Sequence, residues 1–109
     1  MTDSGYCQVT TTIDSREAAD ALAHGAVAAR VAACAQVAGP ILSTYWWEGR
    51  IETAQEWRIT FKTTTGRYAD LEAHLRGAHT YDVPEILCTP VTAGNPAYLS
   101  WLTEGVTRP

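Results

Sequence analysis

The chain has 109 residues, with 12 aspartates and glutamates against 8 lysines and arginines, and a formal net charge of −4 at pH 7. This length is that of a single domain, and the basic residues are scattered singly, so the basic patch of a nucleic-acid-binding protein is missing. No run of about 18 apolar residues is present to form a membrane-spanning helix. The N-terminus lacks the basic start and apolar stretch of a secretory signal, so we expect a cytoplasmic protein without membrane or nucleic-acid partners.

The N-terminal third predicts a strand followed by a helix. Tyr6–Ile13 is rich in β-branched and aromatic residues, which favours a strand. Asp14 to Glu17 resembles a capping box in which Asp14 accepts from the first helical turn. The alanine-rich segment 16–34 favours a helix, and its small side chains predict close packing of that helix on a sheet.

The middle of the chain predicts a long β-hairpin. Segments 41–47 and 56–63 read as strands, and Gly49 between them supplies the turn. In the second strand, Trp57, Ile59 and Phe61 alternate with polar residues and so share one face. The next residues, 65–78, have apolar side chains at helical spacing, which predicts a second helix.

The C-terminal third predicts a strand and a short helix. Residues 84–92 read as the fourth strand, and Asn95 followed by Pro96 is typical of a helix start. The resulting order, β-α-β-β-α-β with a terminal helix, predicts an α+β ferredoxin-like fold over residues 1–109, with two helices on one face of an antiparallel sheet. Apolar side chains point both ways from the first hairpin strand, so its second face needs another cover, and a homo-oligomer provides it.

The three cysteines, Cys7, Cys34 and Cys88, are odd in number and widely spaced. Neither a disulfide framework nor a zinc ribbon is indicated, and we expect reduced, buried thiols. No nucleophile elbow and no glycine-rich phosphate loop is present, so we expect a protein that is not an enzyme.

Five strings in this order resemble the CutA family over essentially the whole chain: AACAQV (32–37), STYWWEGRIE (43–52), FKTT (61–64), HTYDVPEI (79–86) and PVTAGNPAYLSWL (90–102). The resemblance implies a ferredoxin-like homotrimer related in architecture to the PII signalling proteins. It also implies a role in tolerance to divalent cations, copper especially. Thr80 stands where the family commonly has proline. Thr11 stands where some members have a cysteine, and the loss of this thiolate weakens the case for tight Cu(I) binding at Thr11.

His79 has two interpretations. It could ligate a weakly bound Cu²⁺ or another divalent cation, with Asp82 or Glu85 as a second ligand. One histidine is a poor ligand set, however, and a histidine at this place also suits the C-terminus of the second helix. A neighbouring subunit would have to complete a metal site.

The resemblance also implies a pocket at a subunit boundary, lined by Trp47, Glu48, Lys62, Tyr81 and Glu85. Lys62 is the only lysine, and a pair with Glu85 would mark either a functional cleft or a contact that stabilises the oligomer. The functional hypothesis is a trimeric divalent-cation (copper) tolerance and binding protein. The alternatives are a PII-like signalling or adaptor module that binds a small anionic ligand at the subunit clefts, and an interaction scaffold.

Overall fold

The computed structural model describes residues 4–107. Its elements are β1 (Tyr6–Ile13), α1 (Arg16–Ala28), β2 (Cys34–Trp47), β3 (Arg50–Thr64), a 3-10 turn (Thr65–Arg67), α2 (Tyr68–Ala78), β4 (Leu87–Val91) and α3 (Pro96–Val106). This order confirms the predicted β-α-β-β-α-β pattern with a terminal helix. Within residues 4–107, the helices fall short of the length and apolar character that crossing a membrane requires.

The four strands form one sheet in the order β2-β3-β1-β4, and every neighbouring pair is antiparallel. The α1 crossover links β1 to β2 past β3, and the α2 crossover links β3 to β4 past β1. These two interleaved β-α-β units are those of the ferredoxin-like fold.

One face of the sheet carries the core. Alternate strand residues meet α1 and α2 there, and the most deeply buried side chains are Val9, Ile13, Ala19, Ala26, Ile59, Phe61, Leu71 and Leu75. The buried alanines lie on α1, which confirms that this helix packs closely on the sheet. We call the opposite side of the sheet the open face.

The first helix has a different N-cap and a different last residue from those predicted. Ser15, not Asp14, is the N-cap, and its hydroxyl accepts from the Ala18 N–H at 3.1 Å. The helix ends at Ala28 rather than at residue 34, because Arg30 adopts a left-handed φ of 63°. Cys34 therefore begins β2, where it is half-buried.

The third helix covers part of the open face. Asn95 caps it by accepting from the Ala97 N–H at 3.0 Å, as predicted. Tyr6 hydrogen-bonds to Thr103, and Lys62 Nζ lies 5.7 Å from the centre of the Tyr98 ring. Since Tyr6 and Lys62 alternate with core residues of their strands, α3 lies on the side opposite α1 and α2.

The β2–β3 hairpin extends beyond the rest of the sheet and is covered on neither face. Four of its large apolar side chains are 60–75% exposed: Leu42, Trp46, Trp47 and Ile51. Trp46 and Trp47, which point to opposite faces of β2, are therefore both uncovered within the chain. A patch of this kind marks an interaction surface.

Two glycines allow a matched test of packing between α3 and the start of β2. A Cβ at Gly105 would lie 2.7 Å from the Cβ of Ala33, whereas one at Gly77 would meet nothing within 4 Å. We expect Gly105→Ala to lower the free energy of unfolding by about 1–2 kcal/mol through overpacking. Gly77→Ala, also helical, should raise it by about 0.5 kcal/mol. Urea unfolding at a fixed protein concentration measures both, and equal effects would contradict the contact.

Candidate functional site

A groove of about 1000 Å³ lies on the open face, at the end of the sheet away from α3. The end of β1, the base of the β2–β3 hairpin and the 79–86 connection enclose it. Its lining residues are Thr12, Asp14, Ser43, Thr44, Tyr45, Trp47, Glu52, Ala54, Glu56, Tyr81, Asp82, Val83 and Glu85. Of the residues predicted to form the ligand pocket, Trp47, Tyr81 and Glu85 meet here.

The groove has a strongly acidic lining. Five of its residues are carboxylic acids, Asp14, Glu52, Glu56, Asp82 and Glu85, and among the described residues no lysine, arginine or histidine lines it. The resulting potential attracts cations and repels anions. Within residues 4–107, however, no three His, Cys, Asp or Glu side chains are grouped closely enough to hold a metal ion. The carboxylates are thus spread along the groove.

Glu56 is the buried member of the set. It lies on the polar face of β3 with Arg58, Thr60 and Lys62, yet only 7% of the residue is exposed. The hydroxyl of Tyr81 covers it and donates to Glu56 Oε2 at 2.7 Å. The signal available in the sequence was the polar tyrosine in the connection, since a buried carboxylate requires such a donor.

Burial raises the pKa of Tyr81 above its ordinary value, and the hydrogen bond to Glu56 and the charges of Glu56 and Asp14 raise it further. The phenol therefore remains a protonated donor at neutral pH. Because the Glu56 carboxylate can only accept, the donor direction of this bond is fixed.

His79 fixes the connection to the sheet. It is the C-cap of α2, with its backbone N–H bonded to the Leu75 carbonyl. Its Nε2 lies 2.8 Å from the Thr12 carbonyl oxygen, and its Nδ1 accepts from the Tyr81 N–H at 3.0 Å. Since a carbonyl only accepts and a backbone N–H only donates, these two bonds require Nε2 to donate and Nδ1 to accept. Both nitrogens are engaged, so ligation of a metal requires breaking one of these bonds.

Lys62 and Glu48 lie away from the groove. Lys62 stacks over Tyr98, with Gln8 and Cys34 as its cross-strand neighbours. The groove residue Thr12 is paired with Arg58, four residues earlier on β3, or about 13 Å along the strand. The Lys62–Glu85 pair is accordingly not formed within the chain. Glu48 is exposed in the hairpin turn, with a left-handed φ of 51°.

The tyrosine in the groove has a measurable signature in alkaline solution. An ordinary tyrosine ionises near pH 10, and we expect Tyr81 to ionise later. Between the two pKa values the unfolded chain releases the proton first, so the contribution of Tyr81 to stability is constant below about pH 10 and falls above it. Tyrosinate absorbance should show that Tyr81→Phe removes one late-ionising group, whereas Tyr45→Phe leaves it. Loss of an early-ionising group instead would contradict the buried hydrogen bond.

The comparisons with known proteins agree with this fold. The family model of the CutA1 divalent ion tolerance protein matches residues 7–105. The chain belongs to this family. The divalent-cation tolerance protein CutA of Thermus thermophilus is 38% identical over 93 residues, which cover 85% of this chain and 90% of that one. The solved structure of CutA from Xylella fastidiosa matches with a TM-score of 0.93 at 30% identity, covering 95% of this chain and all of that one. The resemblance predicted from the five motifs is confirmed.

Two further relatives correct the predicted location. The chloroplastic CutA 1 of Oryza sativa subsp. japonica is 37% identical over 84% of this chain, which spans about half of that relative, 51%. The solved CutA of Archaeoglobus fulgidus is described as periplasmic and matches with a TM-score of 0.90 at 31% identity, over 94% of this chain and 99% of that one. These relatives point away from the cytoplasm, and the cytoplasmic prediction is wrong.

Proposed function

We propose that this chain acts in tolerance to divalent cations as a homotrimer that binds cations such as copper weakly in its acidic grooves. Family membership supports the tolerance role. The uncovered hairpin supports the trimer, because its exposed apolar side chains need a partner.

The observation that carries the binding proposal is the charge of the groove, with five carboxylic acids and no basic residue among those that line it. Oxygen donors suit divalent cations, but a protein-built site uses several of them at once. Because residues 4–107 of one chain do not bring three ligands together, we place the complete site where a second chain closes the groove.

The same charge opposes the PII-like alternative. A small anionic ligand would meet five carboxylic acids and no basic side chain among the residues that line this groove. Lys62, the cation expected to hold it, lies about 13 Å from the groove along β3. The cation-tolerance proposal is therefore the better fit, and we place the protein outside the enzymes, since the family is named for tolerance rather than for a reaction.

Calorimetric titration with Cu(II) and Zn(II) at low ionic strength tests the proposal. We expect Glu85→Gln and Glu56→Gln to weaken binding by several-fold, since each removes one carboxylate from the groove. Asp20→Asn, on the exposed side of α1, changes the net charge equally and should leave the affinity unchanged. Equal affinity in all four proteins would contradict binding in the groove.

A further inference from the structure

Two cysteines far apart in the sequence meet at the edge of the sheet. In the β1–β4 register, Cys7 is opposite Pro90 and Cys88 is opposite Val9. Cys7 and Cys88 are therefore diagonal neighbours on adjacent strands, and both point to the face that carries α1 and α2. Cys7 is 2% exposed, whereas Cys88 is exposed on the edge strand, so the pair reaches from the core to solvent.

The distance between diagonal neighbours determines whether two cysteines can form a disulfide or bind a metal ion between them. Diagonal neighbours have Cα atoms about 7–8 Å apart. A disulfide requires Cα atoms within about 6.8 Å and Cβ atoms about 3.5–4.5 Å apart, which is too short for this register. A metal ion between two thiolates needs sulfurs separated by roughly 4.6 Å, twice a metal–sulfur bond of about 2.3 Å. The register thus suits a bridging ion better than a disulfide.

Tyr68, the first residue of α2, lies over the same place. Partial burial raises the pKa of Tyr68, its hydrogen bond and charge interaction with Glu72 raise it further, and so do the charges of Cys88 and Cys7. The Tyr68 ring packs against the core cluster that contains Cys7.

We propose that Cys7 and Cys88 form a two-thiolate site for a soft monovalent cation, Cu(I) or Ag(I). These ions are satisfied by two sulfur ligands in a near-linear arrangement, and thiolates select them over harder cations. On binding, the two thiols release two protons and the bound unit carries a net charge of −1. The site differs from the acidic groove in face, in ligand type and in the charge of the ion, and it does not depend on the proposed function.

The test is anaerobic titration of the fully reduced full-length protein with Cu(I), in competition with bathocuproine disulfonate, together with native mass spectrometry. We expect one Cu(I) per chain in the wild type. Cys88→Ser should weaken binding by at least a hundredfold, because a single thiolate remains. Cys34→Ser is the matched control, since Cys34 lies on the open face of β2 and should retain full affinity.

Because Cys7 is buried in the core and Cys88 is exposed, the test uses Cys88, whose replacement leaves the core intact. Full Cu(I) affinity in folded Cys88→Ser, or loss of affinity in Cys34→Ser, would overturn the proposal. A wild-type protein that binds no Cu(I) overturns it as well. Cu(II) binding in the groove is measured separately, and Cys88→Ser should leave it intact, so failure of one site is distinguishable from failure of the other.

Discussion

At micromolar concentration, the protein is expected to sediment as a trimer at three times the 11.8 kDa mass of one chain. The reason is the β2–β3 hairpin, on which Leu42, Trp46 and Ile51 are each more than 60% exposed. Burial of one such side chain contributes about 1.5–3 kcal/mol, so the hairpin alone offers several kcal/mol to an interface. A folded monomer at this concentration would contradict the trimer.

Replacement of Trp46 by aspartate should dissociate the assembly, since a charge would be buried without a partner at the interface. Analytical ultracentrifugation would then show a shift toward the monomer. Ala73→Asp introduces the same charge on the exposed side of α2, away from the hairpin and the open face, and should leave the trimer intact. Dissociation of both variants would show that charge, and not the hairpin surface, controls assembly.

The elements of this fold were predictable because they depend on local patterns. The β-branched residues of β1 identify Tyr6–Ile13 with both ends correct, and the Asn95-Pro96 start of α3 is also correct. The end of α1 was not predictable. Arg30 takes its left-handed conformation where the Arg67 guanidinium binds its carbonyl at 2.9 Å, and this contact spans 37 residues. Alanine-rich sequence alone favours continuing the helix.

In the groove, too, some features were predictable from the sequence and others depend on contacts between distant residues. Trp47, Tyr81 and Glu85, which were predicted to line a ligand pocket, line the groove, whereas the burial of Glu56 was not predicted. The alternation of residues along a strand predicts which face of the sheet a side chain lies on, but not what covers that face. Here Glu56 is covered by Tyr81, which lies 25 residues later in the connection between α2 and β4. Lys62 was misplaced for a related reason. A strand pattern does not give the register along the strand, which puts Lys62 beside Gln8 rather than beside Thr12.

Replacing His79 by alanine is expected to lower the free energy of unfolding by about 2–3 kcal/mol, because two partly buried backbone groups lose their partners. These groups are the Thr12 carbonyl and the Tyr81 N–H. The His79 ring also packs on the Tyr81 ring with centroids 4.7 Å apart. Urea unfolding at a fixed protein concentration measures the loss. His24→Ala, on the exposed side of α1, is the control and should change stability by less than about 0.5 kcal/mol.

Two conservative variants separate positioning from metal ligation by His79. Asparagine retains an acceptor near the place of Nδ1, and glutamine retains a donor near that of Nε2, so each preserves one of the two hydrogen bonds. If His79 positions Tyr81 over Glu56, Cu(II) affinity should follow stability, with both variants between wild type and alanine. If His79 ligates the ion, both should lose affinity as fully as alanine, because a neutral amide is a much weaker copper ligand than imidazole. We expect the first result, since both ring nitrogens are already bonded within the chain.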